Sequence, residues 1–290
     1  MFIVEVISLK IYDCFTFYNE FELLELRLKA LWDVVDYFVI VEANRKHNGE
    51  PKDFTFPKRD KEFTAFFPKI RFVATDMSKI PFKGVGDWSI ENAQRNMILQ
   101  GIDDAAPDDL IMISDLDEIP APDAVRAVRG GQLIDILEKS PVVMEQAFHY
   151  YFFDLICPTA WHGTILTRRK NLTTPQELRN ARNRLPRVSE GGHHFSYMGG
   201  VDRVIDKMTS IVDGNGMVFA SGGKLIDRKH VEKSLANGTD IYNRQGNAAS
   251  QFYPYDAREI RLPHLEEFLK KYPHFLRDPE KYFGGLNDEK

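Results

Sequence analysis

A short apolar run that ends in a cluster of acids, residues 110–120, constrains this chain more than any other feature. Its first four residues are typical of a buried strand, yet Asp115, Asp117 and Glu118 follow almost at once. Crowded carboxylates repel one another and are costly to desolvate, so we expect a bound divalent cation to compensate them. In an extended chain Asp115 and Asp117 point to the same side, which suits the oxygen-seeking ions Mg²⁺ and Mn²⁺. The alternative is a set of acids that cap a following helix.

Strand-like and helix-like segments alternate through the first half of the chain. Runs of β-branched and aromatic residues predict strands, and apolar residues three or four apart predict helices. The predicted strands cover residues 3–7, 11–17, 37–41, 70–74 and 110–114, and the predicted helices cover 21–31 and 88–100. This order indicates an α/β fold with a mostly parallel central sheet flanked by helices. Ligands of such sheets bind beyond the carboxyl ends of the strands, where the acidic cluster lies.

The second half of the sequence is less regular. A strand is predicted over 142–153, a loop rich in glycine and histidine over 189–200, an amphipathic helix over 201–212 and a short helix over 265–271. No linker or internal repeat divides this half from the first. The sequence therefore predicts one domain.

Composition excludes several classes of function. The 290 residues carry a formal net charge of −5, so there is no basic footprint for a nucleic acid. Only Cys14 and Cys157 are present, too few for a disulfide framework, and both are expected to be buried thiols. The first residues lack the features of a signal peptide, and no apolar run is long enough to span a bilayer. These features predict a cytoplasmic protein.

Six stretches together resemble glycosyltransferase family 17: DCFTFYNE (13–20), LLELRL (23–28), VVDYFVIVEA (34–43), QRN (94–96), SDLDEIP (114–120) and GHHFS (192–196). The resemblance implies a GT-A type nucleotide-sugar-binding fold and a UDP-sugar donor, UDP-GlcNAc in relatives. It also implies Mn²⁺ or Mg²⁺, a glycan acceptor and inversion at the anomeric carbon. One such domain would cover 1–290, with a nucleotide- and metal-binding half at 1–140 and an acceptor-side half at 141–290. The chain lacks the membrane anchor of the animal enzymes, so a microbial or viral origin is expected.

Two acids and a histidine are the metal ligands that the resemblance favours. Asp117 is the first choice for direct contact, and Asp115 reaches the ion, a metal-bound water or the ribose. His194 matches a family histidine, whereas His193 stands where relatives carry tryptophan. Neighbours in an extended chain face opposite sides, so one of the two histidines can face the ion. Imidazole suits Mn²⁺ better than Mg²⁺, and ordinary surface polarity is the alternative for His194.

Five further side chains are candidates for donor binding. Asn19 and Glu20 follow an early strand, where they contact the base and ribose or simply cap the next helix. Glu42 ends a predicted strand and either accepts a hydrogen bond from the nucleotide or stays solvated. Arg95 holds a phosphate or orients the nearby aspartate, or it pairs with an acid one turn earlier. Lys207 balances the diphosphate charge or is a solvated lysine.

An inverting transfer requires a general base that takes the proton of the acceptor hydroxyl. Asp202, near the start of the helix over 201–212, is the first candidate, and Glu118 and Asp154 are its rivals. The alternative for Asp202 is an ordinary acid at a helix N terminus. Two other functions stay open. One is a haloacid-dehalogenase-type phosphohydrolase, which also places two aspartates after an apolar strand, and the other is a catalytically silent sugar-binding module.

Overall fold

The computed structural model describes residues 9–84, 86–211, 219–220, 224–244 and 251–284. The strands are β1 (Ile11–Phe17), β2 (Tyr37–Ala43), β3 (Ile70–Thr75), β4 (Leu110–Asp115), β5 (Glu118–Pro120), β6 (Val142–Tyr150), β7 (Leu155–Ile156), β8 (Trp161–Arg168), β9 (Arg187–Ser196), β10 (Phe219–Ala220), β11 (Lys224–Leu225) and β12 (Tyr253–Pro254). The α-helices are α1 (Phe21–Leu31), α2 (Phe56–Arg59), α3 (Ser89–Asn96), α4 (Ile98–Gly101), α5 (Pro122–Arg129), α6 (Ile134–Leu137), α7 (Pro175–Ala181), α8 (Gly200–Ser210), α9 (Arg228–Asn237), α10 (Leu265–Lys271) and α11 (Pro279–Gly284). Short 3-10 segments cover Asp60–Lys69, Arg169–Asn171, Arg182–Arg184, Ala257–Glu259 and Pro273–Phe275.

One large sheet carries the site. Its strands follow the order β12-β7-β6-β8-β4-β1-β2-β3, and β9 pairs with both β5 and β6. The strands β3, β2, β1 and β4 are parallel, whereas β8 runs antiparallel to both β4 and β6. The predicted α/β architecture, a central sheet flanked by helices, is confirmed. The sheet as a whole is mixed, because β6, β7 and β8 are joined by short connections, which permit only antiparallel neighbours.

The first half follows the sequence prediction closely. Strands β1 to β4 coincide with the predicted ones or extend one or two residues further. The predicted helix over 88–100 is interrupted at Met97, which separates α3 from α4. Gly101 ends α4, and a Cβ atom there would lie 2.2 Å from Val39 Cγ1, so this glycine lets α4 pack directly on β2. The predicted strand over 3–7 lies outside the described residues.

The main departure lies in the second half. The segment predicted as a loop over 189–200 instead forms most of β9, so that prediction is wrong. Its glycines serve close packing rather than a loop: Gly192 has a φ of +138°, and a Cβ atom there would lie 2.2 Å from the Ile119 carbonyl oxygen. The helix predicted over 201–212 is α8, one residue earlier at its start; its predicted last residue lies outside the described part of the chain.

Both faces of the parallel strands β1, β2 and β4 are buried, as is usual for such sheets. Along β1, Phe15 packs in a core with side chains of α1 and α5, and Cys14 packs in a second core with side chains of α4 and α7. A third core joins α10 to α1, and an aromatic one joins β6 to α8 and α9. Cys14 and Cys157 are both buried, as predicted. Packing on both faces fixes the carboxyl ends of β1 and β4, and with them the acidic cluster.

Candidate active site

A cavity of about 750 Å³ lies at the carboxyl ends of β1 and β4. Its wall includes Phe17 from β1, Asp115 and Asp117 from the end of β4 and the turn after it, His194 from β9 and Lys207 from α8. The volume falls within the range of sites that hold cofactors and small molecules. The position is the one at which open α/β sheets bind their ligands. The structure therefore brings Asp115, Asp117 and His194 together in one cavity.

A buried arginine holds the backbone of the acidic turn. Arg27, on α1, is fully buried and donates to both carboxylate oxygens of Asp13, at 2.6 and 2.8 Å. The same guanidinium donates, at 2.6–3.0 Å, to the Ser114 hydroxyl and to the carbonyl oxygens of residues 115, 116 and 118. Buried carbonyl groups need such partners. Arg27 thus ties the turn to β1 and α1.

Two arginines hold the carboxylate of Asp115. Its Oδ1 accepts a hydrogen bond from Arg95 at 2.9 Å, and its Oδ2 accepts one from Arg179 at 2.6 Å. Arg95 also donates to Glu91, one turn earlier in α3, so it both orients the aspartate and makes the helix pair. Burial by itself would raise the pKa of Asp115, but the charges of Arg179 and Arg95 outweigh burial and hold that pKa well below its usual range. Asp115 is a fixed anion.

Glu118 is enclosed and does not face the cavity. Its side chain is 0% exposed, and both oxygens accept hydrogen bonds from Arg179, at 2.6 and 2.8 Å. The Trp161 indole N–H and the Asp115 backbone N–H donate to it as well, at 2.5 and 2.9 Å. A carboxylate so engaged stabilises the turn and has no route to a substrate hydroxyl. The expectation that Glu118 acts as a base therefore does not fit this geometry.

Asp117 belongs to a second charged group on the cavity wall. Its Oδ2 accepts a hydrogen bond from Lys207 Nζ at 2.6 Å, and its Oδ1 lies 3.5 Å from His194 Nε2. Burial alone would raise the pKa of Asp117, but Lys207 and His194 hold it well below its usual range. Burial would likewise lower the pKa of Lys207, and Asp117 more than reverses that effect. The two side chains form an ion pair at neutral pH.

The adjacent histidines face opposite sides, as strand alternation predicts. His194 lines the cavity and stacks on Phe148 at 4.8 Å between ring centroids. Its Nδ1 is buried and has no hydrogen-bond partner among the described residues. His193 points away, with Nδ1 3.0 Å from His149 Nε2, and burial lowers the pKa of His193 to about 4. Of the two, His194 is the one that can meet a ligand.

The other residues predicted to bind the donor do not all reach the cavity. Glu20 lines it, and its Oε2 accepts a hydrogen bond from the Asn19 backbone N–H at 3.1 Å. The Asn19 side chain neither caps α1 nor lines this cavity; it donates to Asp206 at 2.8 Å. Glu42 is buried and accepts hydrogen bonds from residues 52, 55 and 56. Glu42 therefore ties the segment after β2 to the sheet, which fits neither nucleotide contact nor solvation.

The remaining candidate bases lie away from the cavity. The Asp202 side chain is 84% exposed and pairs with Arg228. Asp154 accepts hydrogen bonds from the backbone N–H groups of Arg277 and Asp278, at 2.8 and 3.0 Å. Neither carboxylate lines the cavity. The expectation that Asp202 takes the acceptor proton does not fit this placement, and Asp154 holds a chain turn instead.

Within the described part of the chain, no three histidine, cysteine, aspartate or glutamate side chains converge to hold a metal ion. Asp117 and His194 offer an oxygen and a nitrogen to the same point of the cavity, a partial ligand set that suits Mn²⁺. Asp115 offers less, because arginines bind both of its oxygens. Basic side chains of the protein compensate all three crowded carboxylates. The acidic cluster by itself is therefore no evidence for a cation, contrary to the reasoning from sequence.

Sequence reasoning missed three side chains that position the acidic turn: Arg27, Arg179 and Trp161. Arg27 could have been found from the sequence, because it is a basic residue within the apolar helix FELLELRLKAL. A buried charge there needs a partner of opposite charge. Arg179 lies in the polar stretch PQELRNA, and its carboxylate partners are 61 and 64 residues away. No local pattern marks it or Trp161.

Comparisons with known proteins place this site in a family. The sequence pattern of glycosyltransferase family 17 matches residues 4–250. The beta-1,4-mannosyl-glycoprotein 4-beta-N-acetylglucosaminyltransferases of Homo sapiens and Rattus norvegicus are 33% identical to this chain over 112 residues, and that of Mus musculus is 32% identical. Each match covers 37% of this chain and 21% of the relative, so the matched segment spans about a fifth of these relatives. The crystal structure of 4-diphosphocytidyl-2C-methyl-D-erythritol synthase has 16% identity and a TM-score of 0.36, over 63% of this chain and 89% of that one.

These relatives correct one expectation. They are mammalian enzymes whose names refer to a mannosyl-glycoprotein, which contradicts the predicted cytoplasmic location, and they give the expected microbial or viral origin no support. Among the described helices, none has both the length and the apolar character needed to cross a bilayer. The haloacid-dehalogenase alternative loses its basis, since the family match includes the acidic turn and every strand of the parallel half. This chain belongs to glycosyltransferase family 17.

Proposed function

We propose that this protein transfers N-acetylglucosamine from UDP-N-acetylglucosamine to a hydroxyl group of a glycan. Family membership and the names of the mammalian relatives support the reaction class. The observation that carries the proposal is the cavity at the carboxyl ends of β1 and β4, where Asp115 and Asp117 are held in fixed positions. Such a cavity offers carboxylates to ribose hydroxyl groups and cations to phosphates, the two polar parts that all nucleoside-diphosphate sugars share.

Asp115 binds the ribose in this proposal. Arg95 and Arg179 hold its carboxylate in one orientation, and 33% of the side chain stays exposed, so it can still accept a hydrogen bond from a hydroxyl. A hydrogen-bond acceptor that the protein already holds in the right orientation lowers the entropic cost of binding the ribose. Lys207 is partly exposed as well, and it can turn from Asp117 towards the diphosphate, whose charge it offsets.

A divalent ion belongs to the proposed donor site. Asp117 and His194 would hold it, since these two side chains lie 3.5 Å apart on the same wall. Mn²⁺ or Mg²⁺ bound there would neutralise the charge that develops on the departing diphosphate. Lys207 must then give up its hydrogen bond to Asp117, and the partly exposed ammonium group is free to do so.

Glu20 is the carboxylate that we assign as the general base for the hydroxyl group of the glycan acceptor. It lines the main cavity and also a smaller pocket beside Asp117 and Lys207. Among the described residues no basic side chain lies within ion-pair distance of Glu20, and its Oε2 accepts one backbone N–H. A carboxylate with lone pairs available in the cavity can take the proton of an attacking hydroxyl. Glu20 thus replaces Asp202 and Glu118 as the general base of the proposal.

Titration calorimetry with UDP, and an assay of UDP release from UDP-N-acetylglucosamine with a glycan acceptor, test these roles together. We expect the wild type to bind UDP more tightly with Mn²⁺ than with a chelator, and Asp117→Asn to lose that difference. Glu20→Gln should bind UDP like the wild type but transfer at least roughly 100-fold more slowly. Asp123→Asn, at an exposed ion pair on α5, is the matched control. If the wild type binds no UDP, the proposed UDP-sugar donor is wrong. If UDP binding is the same with Mn²⁺ and with the chelator, the proposed metal ion is wrong.

A further inference from the structure

The basic side chains around the cavity differ in whether the protein already neutralises them. Five of them have a carboxylate within 2.5–2.9 Å: Lys46, Lys52, Arg95, Lys207 and Arg244. A sixth, Arg45, donates to the carbonyl oxygens of Gly49 and Ile80, both at 2.8 Å. Arg182 lines the same cavity, and among the described residues it has no carboxylate within ion-pair distance.

Arg182 is held in place by its neighbours rather than by an anion. It follows α7, three residues after Arg179, whose bonds to Asp115 and Glu118 fix that helix to the acidic turn. Its guanidinium lies 5.3 Å from the Trp161 ring centroid, within reach of a cation–π contact. Its NH1 makes only a long hydrogen bond, 3.4 Å, to the Arg179 carbonyl oxygen.

The nearby carboxylates do not offset the burial of Arg182. Burial, followed by the positive charge of Arg179, outweighs the charges of Glu118 and Asp115 and lowers the pKa of Arg182, although an arginine stays protonated at neutral pH. The same wall continues towards Asp117: the Trp161 ring lies 4.8 Å from the His194 ring, and His194 Nε2 lies 3.5 Å from Asp117. An anion in the cavity would therefore meet an uncompensated guanidinium on the wall that carries the aspartate.

We propose that Arg182 binds the diphosphate of the donor, an inference that rests on the proposed function. A nucleoside diphosphate brings two or more negative charges into a cavity whose other cations already have partners. The planar guanidinium matches pairs of phosphate oxygens, and the contact with Trp161 keeps it at the cavity wall. Arg182 thus adds its positive charge to those of Lys207 and of an ion at Asp117.

Calorimetry with UDP, uridine and inorganic pyrophosphate, all in the same Mn²⁺ buffer, tests Arg182. We expect Arg182→Gln to weaken UDP and pyrophosphate binding by about 10- to 100-fold, the usual size for a lost charge-assisted hydrogen bond, and to leave uridine binding unchanged. Arg182→Lys should keep part of the affinity. Arg184→Gln, on the same 3-10 turn but exposed and outside the cavity, is the control and should bind like the wild type.

Comparing the binding of UDP with that of pyrophosphate distinguishes a failure of this inference from a failure of the proposed function. If the wild type binds pyrophosphate through Arg182 but not UDP, the nucleotide donor is wrong and the phosphate site stands. If Arg182→Gln binds UDP and pyrophosphate as tightly as the wild type, or loses uridine equally, the inference about Arg182 is overturned. A wild type that binds neither phosphate compound overturns both. Thermal unfolding of each variant shows whether the fold is kept, and Arg182→Lys provides the comparison if Arg182→Gln is unstable.

Discussion

Replacing Arg27 by methionine should cost the protein much of its stability. The guanidinium and the Asp13 carboxylate are both 0% exposed and lie 2.6 Å apart, so solvent does not screen their attraction. Methionine fills a similar space but leaves a buried carboxylate without a counter-charge. Removing one partner of a buried pair costs about 3–5 kcal/mol. The carbonyl oxygens of residues 115, 116 and 118 also lose a donor, so we expect a loss at the upper end of that range.

Urea denaturation at about pH 7 measures the effect as the change in the free energy of unfolding. Lys29→Met, on the same helix, is the control: its pairs with Glu25 and Glu267 are partly exposed, and their loss should cost less than about 1 kcal/mol. The double variant Asp13→Asn, Arg27→Met should recover part of the loss, because it leaves no unpaired charge. A loss below about 1 kcal/mol for Arg27→Met, or a double variant as unstable as the sum of the single ones, would refute the reasoning.

Two further predictions concern β9. Gly192→Ala should lower the melting temperature by several degrees, because its Cβ would lie 2.2 Å from a backbone oxygen at a φ of +138°. Gly130→Ala is the control: its Cβ would meet only contacts of 3.4 Å, so the melting temperature should change little. Equal effects of the two substitutions in calorimetry would contradict the prediction. Burial of His193 should by itself lower stability by about 2 kcal/mol from pH 7 to 5, because the unfolded chain takes up a proton near pH 6.5 while the pKa of folded His193 is about 4. The buried His149, whose pKa is lowered as well, contributes to the same slope, so His193→Phe should reduce the slope in urea titrations, and an unchanged slope would count against the prediction.

The parallel half of the fold could be predicted because its signals are local. β1 covers the predicted residues 11–17 without change, and β2 to β4 differ by at most two residues. Each is a short run made mostly of β-branched, aromatic or aliphatic residues, and β1, β2 and β4 are buried on both faces of the sheet. The secondary structure of such a run can be predicted from its own residues. The alternation of these strands with helices then restricts how the strands are connected.

The second half could not be predicted in the same way, because its strands depend on distant partners. β9 carries two adjacent glycines that a sequence pattern marks as a loop. In the sheet these glycines permit contacts that a side chain would block: a Cβ at Gly191 would lie 2.4 Å from Met144 Cβ. The requirement for glycine is set by β5 and β6, which precede β9 by more than 30 residues, and no local pattern carries that information.

The site shows the same limit in its charges. The sequence marked the carboxylates of the acidic turn and the role of Arg95, but not the pairing of Asp115 with Arg179 or of Asp117 with Lys207, because these basic residues follow the two aspartates by 64 and 90 residues. Crowded acids require compensation, and a sequence cannot say whether an ion or the protein supplies it. The side chains that compensate Asp115 are 3% and 6% exposed, whereas Lys207 is 29% exposed. Lys207 is therefore the cation that can leave its carboxylate when a ligand arrives, and the proposed metal ion would take its place at Asp117 rather than at Asp115.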